Sequence, residues 1–217
     1  MALSKKITGF MAILALLSLV MVTGCFTMST HATANSDGSI SDYRVELTTT
    51  SFAYNILKQN ARDEGYTSVR DYVLSRSDAG TLSYDEVWDG DTVTMNIAAT
   101  ERVVPDRSDW TLTKDDGFLV YKDGRFAGAE EMSESSKITD AMLGSCSLHY
   151  YLKMPGKIVD SNANTVKEKT AEWHLTGSDV FTTTIYAKSE LPAFPLPGFG
   201  AVLAVLALGF LVWRRNP

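Results

Sequence analysis

The sequence contains few of the residues that build covalent or metal-dependent sites. Its 217 residues include two cysteines, three histidines and six prolines. Two cysteines exclude a small fold held together by disulfides, and 45% apolar residues exclude a disordered chain. No motif typical of a catalytic site is present. The length is sufficient for one ordinary domain with appendages at its ends.

Basic residues are scarce in the middle of the chain. Lys5–Lys6 and Arg214–Arg215 lie at the two ends, whereas all 26 acidic residues fall between Asp37 and Glu190. The remaining 16 Lys and Arg stand against 26 Asp and Glu, which gives the chain between its basic ends a formal charge of −10. Nucleic-acid binding requires clustered Lys and Arg that contact phosphates, so this charge excludes DNA and RNA as partners.

The N-terminus has the build of a secretory signal peptide, which we assign to residues 1–24. Lys5–Lys6 form a basic segment, and Gly9–Val22 form an apolar segment with Ser18 as its markedly polar residue. An apolar segment of about 14 residues is too short for a membrane span, which needs about 20. We therefore expect export and recognition by a signal peptidase.

Two cleavage sites compete after this segment. Val22–Cys25 resembles the lipobox of lipoproteins, in which small residues precede a cysteine that is lipidated and becomes the new N-terminus. The resemblance implies lipid attachment at Cys25. Ala32–Ala34 instead fits the small-x-small rule of ordinary signal peptidase. We favour the lipobox because Ala34 lies about a dozen residues beyond the apolar segment, and an uncleaved N-terminal anchor is the third alternative.

The C-terminus contains a proline-rich linker, 189–197, followed by a hydrophobic tail, 198–217. Ala201–Trp213 is an uncharged apolar run that ends at Arg214–Arg215. Prolines up to position 197 keep the helix from starting earlier. The helix therefore has about 15 residues and a length of about 22 Å, against a hydrocarbon core of about 30 Å. The arginine pair marks the cytoplasmic side of this transmembrane helix.

The order of these parts resembles the archaeal PGF-CTERM sorting signal. Pro197, Gly198 and Phe199 match its short motif, and the apolar helix and Arg214–Arg215 follow in the expected order. The resemblance implies recognition by an archaeosortase, removal of the helix and transfer of the new carboxyl end to a membrane lipid. A plain C-terminal membrane helix is the alternative. Both interpretations place the body at the extracellular face of the cell membrane.

Between the two ends we assign a polar tether, 25–41, and one exported domain, 42–188. Alternation of apolar and polar residues from Tyr43 predicts a first strand. Ser51 and the Thr67–Ser68 pair are suited to cap two short helices.

Strand signals dominate the rest of the domain. Asp89–Gly90 and Asp116–Gly117 predict hairpin turns between alternating segments, and Val180–Ala187 predicts the last strand. The whole pattern predicts an α+β fold, a mostly antiparallel β-sheet with two short helices near its N-terminus, packed on one face.

One stretch of the domain resembles a known family. Leu152–Val159, then Asn162 and Asn164, then Trp173 resemble the "PGKV…N…W" segment of the LppM-like domain of actinobacterial envelope lipoproteins. Those domains also begin with an early strand and helices after a lipidated cysteine. The resemblance implies an envelope-associated domain with a role in handling lipid and without demonstrated enzymatic chemistry.

Candidates for chemistry are few. Cys146, His149 and His174 are the ingredients for nucleophilic catalysis or a zinc site. On a strand, Cys146 and His149 point to opposite faces, so a thiol enzyme would need Cys146 beside His174. Asp160–Asn164 begins like an EF-hand loop but lacks its glycine and final glutamate, and Asp85–Asp91 is typical of a solvated acidic turn. We therefore expect no catalytic residue, no metal and no cofactor.

These features predict a non-enzymatic, membrane-anchored protein of the archaeal cell surface, with envelope lipid as its ligand. The alternative is a structural or interaction module of the surface layer, which would expose an apolar or aromatic patch and have no internal cavity. A surface hydrolase comes third. Cys146 is expected to be buried, and a disulfide between Cys25 and Cys146 is the alternative if Cys25 carries no lipid.

Overall fold

The computed structural model describes residues 26–75, 82–127 and 145–192. The predicted signal peptide and hydrophobic tail therefore lie outside the described residues. The same holds for the predicted lipid-attachment and sorting residues, which are Cys25, Pro197, Gly198, Phe199, Arg214 and Arg215. In the part of the chain that is described, no helix has the length and apolar character needed to cross a membrane.

Strands make up most of the described chain. In chain order the elements are β1 (Phe26–Ala34), β2 (Ile40–Thr50), α1 (Ser51–Asp63), α2 (Val69–Ser75), β3 (Leu82–Asp89), β4 (Thr92–Ala99), β5 (Asp106–Arg107), β6 (Trp110–Asp115), β7 (Phe118–Asp123), β8 (Ser147–Lys153), β9 (Ile158–Ser161), β10 (Thr165–Lys167), β11 (Thr170–Thr176), α3 (Asp179–Thr182) and β12 (Ile185–Glu190).

The strands form two sheets. A seven-stranded sheet has the order β10-β11-β8-β1-β2-β4-β3, and a five-stranded sheet has the order β5-β6-β7-β12-β9. Neighbouring strands are antiparallel except β1 and β8, which run parallel. The predicted α+β class with mainly antiparallel pairing is confirmed, but the strands are divided between two sheets.

Strand β1 corrects the prediction of a polar tether over 25–41. Residues 26–34 form the strand that lies between β2 and β8 in the large sheet. Phe26, Met28, Ala32 and Ala34 are buried on one side, and the residues between them face the other side. The tether interpretation is wrong here. Only Phe26 and Met28 are large apolar residues, and the later buried positions hold Thr30, Ala32 and Ala34, so the alternation is easily overlooked.

The helices also differ from the prediction. They are not at the N-terminus of the domain, because α1 and α2 follow β1 and β2. Thr50, rather than Ser51, caps α1, since its Oγ1 accepts a hydrogen bond from the Ala53 amide at 3.3 Å. Near the C-terminus, α3 takes the place of the first part of the predicted last strand, and β12 begins at Ile185.

The two predicted hairpin turns are confirmed. Gly90 joins β3 to β4 with φ of +56°, and Asp116 and Gly117 join β6 to β7 with φ of +44° and +82°. Positive φ at both central residues is the requirement of a type I′ turn, which explains the Asp-Gly pair at 116–117.

One face of the large sheet is covered along its width. Helices α1 and α2 pack against the half formed by β2, β3 and β4. The small sheet covers the remaining strands and the first part of β2, where Trp110 of β6 packs on Tyr43 of β2 and Tyr121 of β7 contacts Tyr150 of β8. We call the opposite face of the large sheet, which the described residues leave uncovered, the outer face.

The described chain begins and finishes at opposite ends of the domain. At the Phe26 end, the ring of Phe26 lies 6.2 Å from that of Phe181 in α3, just before β12 starts. At the Glu190 end, the backbone of β12 crosses close to Gly156, where an added Cβ would lie 1.9 Å from the Glu190 carbonyl oxygen. A side chain at position 156 would clash with this backbone, so the crossing requires Gly156. The two ends of the domain are separated by the length of β1, which is roughly 26 Å for nine residues at about 3.3 Å from one residue to the next.

Candidate functional site

The outer face of the large sheet gathers all three histidines of the chain. The strand register places them in two adjacent rows that run across β2, β1, β8 and β11. The row members are Arg44, His31, Tyr151 and Glu172 in one and Glu46, Ser29, His149 and His174 in the other. We call these eight residues the histidine patch.

His149 and His174 form the closest polar contact of the patch. They are direct cross-strand partners on β8 and β11, and their Nδ1 atoms are 2.9 Å apart. The carboxylate Oε2 of Glu172 lies 3.8 Å from Nε2 of His174. The His174 side chain is 43% exposed, so the pair is accessible to solvent.

His31 is held differently. Its ring is stacked on that of Tyr151, with centroids 4.6 Å apart and planes 13° apart. A shallow groove of 170 Å³ runs beside this stack, with Arg44 and Glu172 among the residues that line it. The patch therefore combines an imidazole pair with an aromatic stack, both open to solvent.

In the described part of the chain, Cys146 does not lie beside a histidine in the way that a thiol enzyme requires. Cys146 is buried directly before β8, whereas His149 and His174 lie on the outer face. The prediction that Cys146 and His149 point to opposite faces is confirmed. The alternative of Cys146 beside His174 is wrong because the register of β8 and β11 pairs His174 with His149.

The acidic and asparagine-rich segments have structural contacts. Glu86 accepts hydrogen bonds from the hydroxyls of Tyr54 and Tyr84, each at 2.7 Å. Asn162 accepts one from Nε1 of the fully buried Trp173 at 2.9 Å, which accounts for the spacing of Asn and Trp in the sequence. Within the described ranges, no three His, Cys, Asp or Glu residues are grouped so as to hold a metal ion.

Sequence reasoning missed a buried ion pair between the two sheets. Arg125 donates through Nε to Oδ1 of Asp123 at 2.7 Å and through Nη2 to Oδ2 at 2.6 Å. Nη2 also donates to the Tyr43 hydroxyl at 2.6 Å, and the guanidinium lies 3.7 Å from the centre of the Trp110 ring. No local pattern marks this pair, since Asp-Gly-Arg is also typical of an exposed turn.

Tyrosine hydroxyls complete the buried cluster around this ion pair. Tyr150 and Tyr121 contact each other and donate to Oδ2 of Asp123 at 2.9 and 3.3 Å. Burial and the nearby Asp123 carboxylate hold the pKa of Tyr121 well above its usual value. Burial, together with the tyrosines and Asp123 around it, does the same for the pKa of Tyr150. Burial also raises the pKa of Tyr43 to about 12. The neutral phenols thus connect the large sheet to the small one.

Comparison with known proteins gives one strong match. No protein-family model matches the chain. The solved NMR structure of the folded domain of Mycobacterium tuberculosis LppM aligns with 77% of this chain and 91% of that domain, at 10% identity. Its TM-score is 0.42, which is too low to argue a shared fold or function. An uncharacterised protein of Archaeoglobus fulgidus is 47% identical over 201 residues, which cover 90% of this chain and 91% of that protein. The chain belongs to the family of this archaeal protein.

Proposed function

We propose that the protein is a non-enzymatic, membrane-anchored component of an archaeal cell surface. It is exported, lipidated at Cys25 and sorted through its C-terminal tail by an archaeosortase-type enzyme. The folded domain then stands on the outside of the membrane. Family membership with an archaeal protein and the order of the predicted signals support this proposal.

The position of β1 is the observation that carries the proposal. Phe26 follows Cys25 directly and is already buried as the first residue of a central strand. Cleavage before Cys25 leaves every residue of β1 in the mature protein. The lipobox interpretation therefore agrees with the needs of the fold.

Cleavage after Ala34, the competing site, conflicts with those needs. It would remove all nine residues of β1. Strands β2 and β8 would lose their shared neighbour, and their backbone amides and carbonyls would be left unpaired in the middle of the sheet. We infer that the mature N-terminus lies at or before Phe26.

Contact with envelope lipid is proposed for the surface of the domain rather than its interior. The space between the sheets is filled by the Asp123–Arg125 pair and by Tyr121, Tyr150 and Trp110, all of them buried. A lipid chain in this space would have to displace a buried ion pair, which is costly.

An interaction module of the surface layer is the second candidate. Phe52 and Trp88 are 65% and 48% exposed. Phe52 lies where β2 leads into α1, and Trp88 lies where β3 turns into β4. These two junctions are neighbours in the fold, because Thr50 at the end of β2 pairs with Thr92 at the start of β4. Exposed aromatic side chains of this kind are typical of contact surfaces.

The first prediction tests the anchors by intact-mass spectrometry of the full chain expressed in an archaeon and isolated with its membranes. We expect a mature chain that begins at Cys25 with added lipid and lacks 201–217. Cys25→Ser should abolish the lipid mass on the N-terminal residue, because serine carries no thiol to link to lipid, and should leave any lipid on the processed carboxyl end in place. Cys146→Ser is the matched control and should leave the mass of the lipid unchanged.

Two outcomes would contradict the proposal. A mature chain that begins at Asn35 would show that β1 is removed. A chain without lipid whose two predicted signal segments are both intact would exclude processing at either end.

A further inference from the structure

The imidazole pair of the histidine patch has the spacing of two ligands to one metal ion. Two nitrogens that are each about 2.05 Å from a metal and about 90° apart lie about 2.9 Å from each other, and at a tetrahedral angle about 3.3 Å. The Nδ1 atoms of His149 and His174 are 2.9 Å apart. This spacing matches adjacent corners of a square-planar or octahedral ion.

We propose that His149 and His174 bind a divalent transition metal ion on the outer face, with Cu²⁺ or Ni²⁺ preferred. Imidazole is a suitable ligand for both ions, and both adopt geometries with ligands at about 90°. The proposal is independent of membrane anchoring, because both residues lie in the described domain and not in its predicted signals.

The two imidazole rings are oriented so that their Nδ1 atoms can bind the same ion. Their centroids are 5.1 Å apart and their planes meet at 59°, so that the two Nδ1 atoms face each other. Without a metal, one Nδ1–H donates to the other nitrogen. Metal binding needs a bare Nδ1 on both rings, so the donating ring gives up its Nδ1 proton to solvent and takes one up on Nε2, which keeps it neutral. A small rotation of the exposed rings then directs both lone pairs at the ion.

Glu172 acts as the positioning residue of the pair. Its Oε2 lies 3.8 Å from Nε2 of His174, the ring nitrogen that faces away from His149. A carboxylate beside Nε2 favours the tautomer with the proton on Nε2 and a bare Nδ1. Carboxylate, imidazole and metal in this order are the usual arrangement of a metal-bound histidine.

Water completes the coordination of the ion. The described residues contain no group of three His, Cys, Asp or Glu that could enclose a metal. His31, the third histidine, is stacked flat on Tyr151 in the adjacent row. The site therefore has two protein ligands and open positions, which are typical of an ion that can take a further ligand from solution.

The second prediction is tested by titrating the full chain, purified in detergent without a histidine tag, with CuCl₂ and NiCl₂. Calorimetry should give one ion per chain, and electron paramagnetic resonance of the Cu²⁺ form should show two equivalent imidazole nitrogens. His149→Ala and His174→Ala should each weaken binding at least about tenfold, because even loss of an outer-shell partner costs about 10- to 100-fold. Glu172→Gln keeps both ligands, so it should weaken binding less than either alanine variant, by about tenfold, and it should alter the imidazole nitrogen couplings in the Cu²⁺ spectrum because the tautomer of His174 is no longer fixed.

His31→Ala is the matched control, since it removes a histidine from the same face without touching the pair. It should leave the affinity unchanged. Unfolding curves without metal check that each variant is folded, and the side chains exposed on this face make large losses of stability unexpected. The proposal is overturned if the wild-type chain binds no ion, if either alanine variant of the pair binds as well as the wild type, or if His31→Ala weakens binding equally.

Discussion

The pair formed by Asp123 and Arg125 lies between the two sheets, where an isolated charge is most costly. Both carboxylate oxygens accept hydrogen bonds from the guanidinium, and Tyr43 and Tyr150 supply further polar contacts. The Trp110 ring lies against the face of the guanidinium. The cluster is stable as a unit, because each charge is compensated by the groups around it.

The third prediction concerns this pair. Asp123→Asn should lower the free energy of unfolding by about 3–5 kcal/mol, because it leaves the buried Arg125 charge without its counter-ion. Arg102→Gln is the control: Arg102 pairs with Asp37 at 3.1 Å, but both side chains are more than half exposed. It should cost less than about 0.5 kcal/mol. Denaturant unfolding of both variants measures the difference, and equal losses would contradict the prediction.

Strand β1 is the element on which the large sheet depends. It joins β2 on one side and β8 on the other, and β8 is more than a hundred residues further along the chain. Its inward-facing residue Thr30 is completely buried, yet its hydroxyl has no hydrogen-bond partner among the described residues. The strand therefore contains a local defect that a change of one residue can remove.

The fourth prediction is that Thr30→Val stabilises the protein by about 1 kcal/mol. Valine keeps the branched shape that suits a strand. It removes a buried hydroxyl that gives up its hydrogen bonds to water on folding and gains no partner in the folded domain. Thr27→Val on the same strand is the control, because Thr27 is exposed and its Oγ1 accepts a hydrogen bond from Ser147. It should change stability by less than about 0.5 kcal/mol. A lower melting temperature for Thr30→Val would refute the argument.

Local signals predicted some of these elements and not others. The Asp-Gly pairs at 89–90 and 116–117 predicted their hairpins, because positive φ at a turn is a property of the residues themselves. Strand β1 was missed because Thr30, Ala32 and Ala34 give a weak apolar signal. The division into two sheets depends on pairing between distant segments, which no local pattern contains.

The candidate site likewise has features that local sequence predicts and features that it does not. Alternation along β8 was sufficient to predict that Cys146 and His149 face opposite sides. The contact of His149 with His174 depends on the register between β8 and β11, and the position of Asp123 depends on how the sheets pack. Register and packing follow from the whole fold and could not be predicted from one sequence.

At the scale of the whole molecule, neutral tyrosines link the two sheets and couple stability to pH. Tyr43 and Tyr150 come from the large sheet, and Tyr121 comes from the small one. Burial holds the pKa of all three above the ordinary value, to about 12 for Tyr43. The fold therefore favours the protonated phenols, whereas an unfolded chain releases their protons near pH 10.

The fifth prediction follows from the sign of this linkage. The contribution of these phenols is fully present below about pH 10 and is lost as pH rises towards about 12 and beyond. Melting temperatures measured from pH 8 to 12 should fall above pH 10. Tyr43→Phe should make the fall shallower, whereas Trp88→Phe, which removes no titratable group, should leave its slope unchanged. A fall of the same steepness in all three proteins would assign it to other groups.

The separation of the Phe26 end from the Glu190 end has a consequence for orientation. Seven residues, 191–197, connect the domain to the predicted sorting tail, and they reach at most about 25 Å when extended. This is close to the length of β1, so an upright domain with both Cys25 and the processed C-terminus attached to lipid would need an almost fully extended linker. Lipids at both ends would therefore favour strands that lie along the plane of the membrane. One lipid alone would let the domain tilt freely about its attachment. Double attachment would restrict this tilt and leave rotation about the line between the two lipids, so the number of lipids per chain would set how freely the domain reorients at the cell surface.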